Sequence, residues 1–388
     1  MKQACFYNTP KQMKIVKYIP AMFLNCVLCT AGYAQETTGK KECFTFEASY
    51  VGDNVMNFSG GIKTGYRYLG KASILVGFDV ENAGLWEGGQ FFLNAVSTHG
   101  SRPSHELLGD LQTASNIEAG EHTYVQELWF KQALGNFEFT IGLQDLNVEF
   151  VNTENGSLYL NSSFGIMPII SNNVETPIFP LTALGFTVKW NISNDFTFLN
   201  SFYDGKPTDF KQNPYNIKWE INSEDGILVI SELHYKNVII DLPGKYKAGA
   251  YAYSHYAASH ELPDQYIYGI YALADQKIWE KGIKNIGTFA QIGYSPSDAS
   301  INDFHIGFGV NYSGLFSKKG SDILGLGMSY EHFNADVDSE TAIEMTYLYQ
   351  ISKNFLLQPD IQYIINPAGT GERLDNCLAG ILRFGLSF

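Results

Sequence analysis

Beyond residue 34 the chain has no apolar run approaching the ~20 residues that a membrane-spanning helix needs. It is also short of charge: Asp, Glu, Lys and Arg make up 17% of its 388 residues, against ~25% in ordinary soluble domains. Basic residues are the scarcer sign, with 26 Lys and Arg facing 40 Asp and Glu, for a net charge of −14. That balance argues against nucleic acid as a partner, because its binders neutralise phosphates with basic patches. Cysteine is sparse. Cys5, Cys26 and Cys29 fall in the first 34 residues, leaving Cys43 and Cys377. The chain contains no Gly-rich phosphate loop, no His-Glu-x-x-His and no Gly-x-Ser-x-Gly. No enzyme, metal or cofactor is expected.

What is plentiful points elsewhere. Aromatics are 14%, with 24 Tyr, 27 Phe and 37 Gly. Tyr suits boundaries where one end of the ring is wet, including the girdles of membrane barrels. From the last residue backwards, Phe388, Leu386, Phe384, Leu382 and Leu378 share one strand face. Ser387, Arg383, Ile381 and Ala379 share the other. Successive strand side chains point to opposite faces. An apolar, aromatic-tipped edge strand at a chain end invites aggregation unless it is paired. A closed barrel pairs last strand with first. Similar alternation recurs at Phe304–Tyr312 and Leu324–Tyr330, where large residues oppose glycines and polar groups. It recurs again at Ile343–Tyr349 and Phe355–Tyr363, with charges on the inner face, which describes a water-filled lumen. Pro359 interrupts the last of these and requires a break or bulge in the ladder.

The first 34 residues read as an export signal: Lys2, Lys11, Lys14 and Lys17, an apolar stretch, then Gly32-Tyr33-Ala34 at a cleavage spacing. Removing four lysines and no acids takes the net charge from −14 to −18. Residues 35–388 then form one barrel domain. About sixteen strand-like runs follow, at 43–57, 66–80, 90–98, 122–133, 136–144, 183–190, 195–203, 226–235, 246–255, 266–276, 285–294, 303–312, 322–330, 341–350, 355–365 and 377–388. The long connections, 100–121, 145–182, 204–225 and 366–376, fall on odd-numbered positions. The short ones, 134–135, 191–194 and 352–353, fall on even positions, with exceptions near 239–244 and 315–320. Such segregation fits a barrel with one looped end. The connection 145–182 is long enough to carry function and is expected to fold into the lumen and narrow it. Cys43 and Cys377 fall at opposite ends of neighbouring strands, so two free thiols are expected.

Inward parity selects the candidate lumen residues. Glu127, Trp129 and Lys131 would line the lumen two residues apart, offering a hydroxyl acceptor, a stacking face and a donor; an inward ion pair with a girdle Trp is the alternative. Glu149 opens the long connection, at a constriction or simply solvated. Arg383, Asp360, Glu344 and Glu232 also face inward, as solute contacts or as charges balancing one another.

Several stretches carry a family likeness: Tyr50-Val51-Gly52-Asp53 with Ser59-Gly60-Gly61, Tyr68-Leu69-Gly70-Lys71, Glu87-Gly88-Gly89-Gln90-Phe91-Phe92, Gln126-Glu127-Leu128-Trp129-Phe130, Asn161-Ser162-Ser163-Phe164-Gly165, and Gln291-Ile292-Gly293-Tyr294-Ser295-Pro296. The most specific is the run Leu357-Gln358-Pro359-Asp360-Ile361-Gln362-Tyr363-Ile364-Ile365-Asn366-Pro367. Together they resemble the carbohydrate-selective porins. The resemblance implies an all-β, sixteen-stranded barrel in a Gram-negative outer membrane, surrounded by its lipids and passing monosaccharides or small oligosaccharides by passive diffusion. Arg383 matches the arginine expected near the final strand. The chain departs from the pattern in being acidic and poor in lumen arginines. A general or cation-preferring porin is the alternative function, with an outer-membrane lipid hydrolase behind it. A homotrimer stands open beside the single barrel. Sequencing the amino terminus of the exported protein is expected to read from Gln35; a start at Met1 or Met13 would refute the signal.

Overall fold

The computed structural model describes residues 42–222, 225–239, 241–255, 265–317, 319–334 and 338–388; the expected signal, 1–34, lies outside them. Sixteen antiparallel strands close into a single barrel, each beside its sequence neighbours. They are β1 (Phe44–Ser59), β2 (Gly65–Asp79), β3 (Gly89–Gly100), β4 (His122–Leu134), β5 (Phe137–Gln144), β6 (Ala183–Asn191), β7 (Phe196–Asp204) and β8 (Ile227–Ile239), followed by β9 (Leu242–His255), β10 (Gln265–Lys281), β11 (Lys284–Tyr294), β12 (Asn302–Ser313), β13 (Asp322–Phe333), β14 (Ser339–Ser352), β15 (Phe355–Ile365) and β16 (Cys377–Ser387).

The seam is the pairing the terminal strand requires. β16 lies against β1 with Gly52 opposite Phe384 and Asp53 opposite Arg383, and the Phe388 N–H donates to the Ala48 carbonyl at 2.8 Å. Leu382, Phe308, Leu326 and Ile361 lie in the exposed outward band, while Ile381, Asn311 and Glu344 are buried inside. The proline behaves as its missing N–H dictates. β14 and β15 pair at Thr346–Asp360 and again at Tyr349–Leu357, and the ladder is open between them, beside Pro359. Both cysteines are free thiols. Cys377 is buried near the long-loop end, its Sγ donating to Asn57 Oδ1 at 3.2 Å.

The loop ends differ in two places from the sequence expectation. β8 and β9 stay paired to Ile239–Leu242, so the exception near 239–244 disappears. The segment 80–88 at the short-turn end is longer than its neighbours, an exception to the segregation that the gap between the expected strands 66–80 and 90–98 already contained. β5, β6 and β7 have only 8, 9 and 9 residues, leaving a low wall. β4 meets β5 only from Leu128 onward. Above that point residues 215–216 cover its bare edge, with Val125 N–H donating to the Tyr215 carbonyl at 3.0 Å and Asn216 Nδ2 to the Val125 carbonyl at 3.1 Å.

Two connections lie inside the barrel. Residues 145–182 include two short helices, α1 (Leu146–Glu149) and α2 (Pro168–Ser171). Asp145 caps the first, accepting from Asn147 N–H at 3.0 Å, the role Asp side chains serve at helix starts. The loop's Leu146, Phe150, Met167, Ile169 and Ile170 pack on inward-facing Leu199, Leu228, Ile230, Tyr251 and Leu273. The inner face of β7–β10 therefore carries an apolar patch where the loop covers it, alongside the polar Glu232, His234, Lys247 and Asp275 of the same strands. Each apolar side chain of the patch contributes about 1.5–3 kcal/mol by burial. On β12 and β13 the loop's aromatics press against glycines. A Cβ at Gly327 would stand 2.8 Å from Tyr159 and 3.1 Å from Phe164. Residues 101–121 also enter, where Leu107, Leu108, Ala114 and Ile117 bury against Val55, Ile364, Cys377 and Ile381. This connection was expected to be long, but its entry into the barrel was not expected.

Wall carboxylates fasten both loops. Asp275 accepts the Glu154 and Asn155 N–H groups at 2.8 and 2.9 Å. Asp53, fully buried, accepts the Ser115 hydroxyl at 2.7 Å and the Arg383 guanidinium at 2.7 and 2.8 Å. Removing one member of a buried pair leaves the other uncompensated, at about 3–5 kcal/mol. Asp53→Ala is expected to lower the urea midpoint of unfolding from lipid vesicles accordingly. A loss no larger than that of an exposed Asp would show the seam pair to be idle.

Candidate functional site

The wall β3–β6 lies outside the apolar surface that the loop 145–182 packs on. Its inward row is set by pairing. Phe92 lies opposite Trp129, and Asn94 opposite Glu127. One residue further the register shifts, so that Ala95 meets Val125 and Gln126 is extra. Such a bulge lets consecutive residues take the same face, and Gln126 and Glu127 are both buried. Gly142, opposite Trp129, sits at φ +132°, and a Cβ there would come within 2.3 Å of the Leu128 carbonyl. Only glycine lets β5 approach the Trp strand so closely.

The result is an aromatic shelf edged by charge. Phe92 and Trp129 stack with ring centroids 4.9 Å apart and planes 24° apart. The Trp129 Nε1–H donates to Glu127 Oε1 at 3.2 Å, and Asn94 Nδ2 to Glu127 Oε2 at 3.4 Å. Lys131 Nζ stands 5.2 Å from the Trp129 ring centroid, 3.7 Å from Glu149 Oε1 and 3.8 Å from Glu138 Oε2. Lys189 Nζ lies 3.5 Å from the other Glu138 oxygen. Above the shelf, Lys71 Nζ sits 4.5 Å from the Phe179 ring. Lys131, Glu138, Glu149 and Lys189 keep side-chain exposures of 16–25%, so this row retains some contact with solvent.

Four of the eight expected lumen residues, Glu127, Trp129, Lys131 and Glu149, come together here. The other four lie apart: Glu232, Glu344 and Arg383 touch the inserted loops, and Asp360 bonds within its own strand. Glu232 accepts the Val151 N–H at 2.9 Å and the Tyr271 hydroxyl at 2.8 Å, with His234 and Lys247 beside it. Glu344 accepts the Leu160 and Asn161 N–H groups at 2.6 and 3.0 Å. Arg383 is committed to Asp53 and to Asn116 Oδ1 at 2.8 Å, and Asp360 accepts from Gln362 Nε2 at 3.1 Å. Phe92, Asn94, Glu138 and Lys189 complete the open row and escaped the sequence reading. Glu138 and Lys189 are direct cross-strand partners; matching inward parity on the two expected strands would have found them.

Burial raises the Glu149 carboxyl, but the Lys189 and Lys131 ammoniums outweigh it and hold the group below the usual carboxylate range. A depressed carboxyl keeps its attraction at and above the ordinary value, about 4.3, and loses it as pH falls through the lower one. The part of the single-channel conductance that depends on Glu149 is expected to persist from neutral pH to about 5 and to step below about 4. Glu149→Gln is expected to shrink that step; an unchanged step would remove Glu149 from the passage.

Comparison with known proteins follows the geometry. The model of the carbohydrate-selective porin, OprB family, matches residues 63–388. Porin B of Pseudomonas aeruginosa is 24% identical over 403 aligned positions, covering 87% of this chain and 86% of that protein. The putative porin QuiX of Acinetobacter baylyi is 23% identical, covering 88% and 89%. A high-pH structure of Pseudomonas putida OprB superimposes with a TM-score of 0.80 at 19% identity, covering 89% of this chain and 94% of that one.

Proposed function

The chain belongs to the OprB family of carbohydrate-selective porins, and on that premise we propose that sugars cross it over the Phe92–Trp129 shelf, between the β3–β6 wall and the loop 145–182. Membership makes it an outer-membrane channel for passive sugar diffusion rather than an enzyme. The single observation carrying the finer reading is the Trp129 ring flanked by Glu127 and Lys131 on an open wall. A pyranose ring presents C–H bonds from one face and hydroxyls from its rim. The shelf accepts the first, while carboxylates and ammoniums exchange hydrogen bonds with the second. Contacts of this kind are individually weak, as a conducting path requires, since a solute must leave as readily as it enters. The loop 145–182 narrows the path by occupying the β7–β15 side.

A cation-preferring pore is the second reading, favoured by the net charge of −14. The local arrangement argues against it. Glu138 and Glu149 each face a lysine, so the open row is close to balanced.

Trp129→Ala is expected to cost about 1 kcal/mol of stacking, roughly fivefold in sugar affinity. The measure is sugar block of current in planar bilayers, with liposome swelling on glucose, maltose and larger glycans as a second readout. Conductance for small ions should survive the substitution. Equal block of wild type and variant would end the shelf assignment, and no block by any sugar would end the selective reading.

A further inference from the structure

Inside the barrel at the long-loop end, three carboxylates gather with no cation. Glu331 and Glu340 are direct cross-strand neighbours on β13 and β14, both fully buried. Asp110, on the inserted loop 101–121, is 6% exposed. It precedes Leu111 and Gln112, whose N–H groups Glu340 accepts at 2.9 and 3.0 Å. Glu340 also accepts the Ala368 N–H at 2.7 Å. Among the described residues no ion pair reaches any of the three. Like charges directly opposite in a sheet repel, and a buried charge requires compensation.

Unpartnered acceptors surround them, with the ring nitrogens of His305 and the Ser329 hydroxyl also unpartnered nearby. The acceptors are both Asp110 oxygens, Glu331 Oε1, Gln112 Oε1 and Asn302 Oδ1. Gln112 and Asn302 are 2% and 0% exposed. Both are held in the cluster: Gln112 Nε2 donates to the Glu340 carbonyl at 3.2 Å, and Asn302 Nδ2 to Glu331 Oε2 at 2.8 Å. Protonating Asp110 and Glu331 would supply two donors for the three acceptors left. A hard divalent cation takes 6–8 oxygens of these kinds and answers charge and acceptors together.

We propose that Asp110, Glu331 and Glu340, with the amide oxygens of Gln112 and Asn302, bind a divalent cation of the Ca2+ class that fastens the loop 101–121 to β12–β14. The donor set is oxygen throughout. His305 is opposite Glu331, but its ring leans over Gly307, where an added Cβ would lie 3.2 Å from Nε2. Among the described residues no three acidic, His or Cys side chains already close on one point. Mutually repelling carboxylates stand apart in this way, and amide and backbone oxygens complete the shell.

The test uses the full chain in detergent, stripped with chelator and titrated with CaCl2 at constant ionic strength, with NaCl and MgCl2 as controls. We expect a single equivalent of Ca2+ retained per chain by elemental analysis. The heat-denaturation midpoint should rise saturably, with half-effect at about 0.1–1 mM, the range of extracellular calcium modules. Glu331→Gln is expected to weaken binding by at least roughly tenfold, yet to melt above wild type in chelator, since repulsion is relieved. Asp110→Asn, on a loop, makes the same test if Glu331→Gln does not fold. Equal Ca2+ binding by wild type and both variants, or no saturable response in wild type, overturns the site. A midpoint that rises on acidification alone, without a Ca2+ response, assigns the neutralisation to protons and overturns it equally.

Discussion

The structure depends on carboxylates of the wall that accept backbone N–H groups from chain lying inside the barrel. Irregular backbone away from bulk water must satisfy its donors, and it has no ladder to do so. Glu232, Asp275 and Glu344 take up successive N–H groups of the loop 145–182, at Val151, at Glu154 and Asn155, and at Leu160 and Asn161. Glu340 does the same for the loop 101–121. A carboxylate suits this because it accepts several bonds at once and each is charge-assisted. A lysine can only donate, as Lys247 does to the Asn152 carbonyl. Part of the acidity of the sequence is thus a consequence of how its loops are held. These charges are turned to the loops.

The same loop requires a surface that most of a water-filled barrel would not present. Its apolar side chains meet Leu199, Leu228, Ile230 and Leu273 on β7–β10, and its aromatics rest on the inward glycines of β12 and β13. Burial and close approach then define where the loop lies, while the carboxylates define its register along the wall. Neither would suffice alone: the apolar contact is non-directional, and single hydrogen bonds are modest in net free energy.

Much of this was legible in the chain. Outward alternation, the sixteen strands, the closing pair, the break at Pro359 and the free cysteines follow from period-two patterning and from proline's missing N–H. The sector β7–β10 was less clear, because a strand apolar on both faces loses its alternation. The inward glycines of β12 and β13 were visible as small residues, but the aromatics resting on them arrive from more than a hundred residues away. For the site, parity placed Glu127, Trp129 and Lys131 on one face. It could not separate them from Glu232, Glu344 and Arg383, which share that orientation. Only the path of the loops divides charges left open from charges used as anchors, and that path is long-range packing with no local sequence signal.

The bulge at Gln126 connects these two uses of the wall. An uninterrupted β4 would turn one of two adjacent residues outward. With the extra residue both face in, and they serve different ends. Gln126 Nε2 donates to Asp145 Oδ2 at 2.9 Å, and that same oxygen accepts the Phe179 N–H at 3.1 Å, tying the two roots of the long loop together. Glu127 turns instead to Trp129 and Asn94. One inserted residue therefore fixes the base of the inserted loop and the edge of the aromatic shelf at adjacent positions on one strand. Their spacing is set by the bulged backbone of β4 rather than by side-chain rotamers.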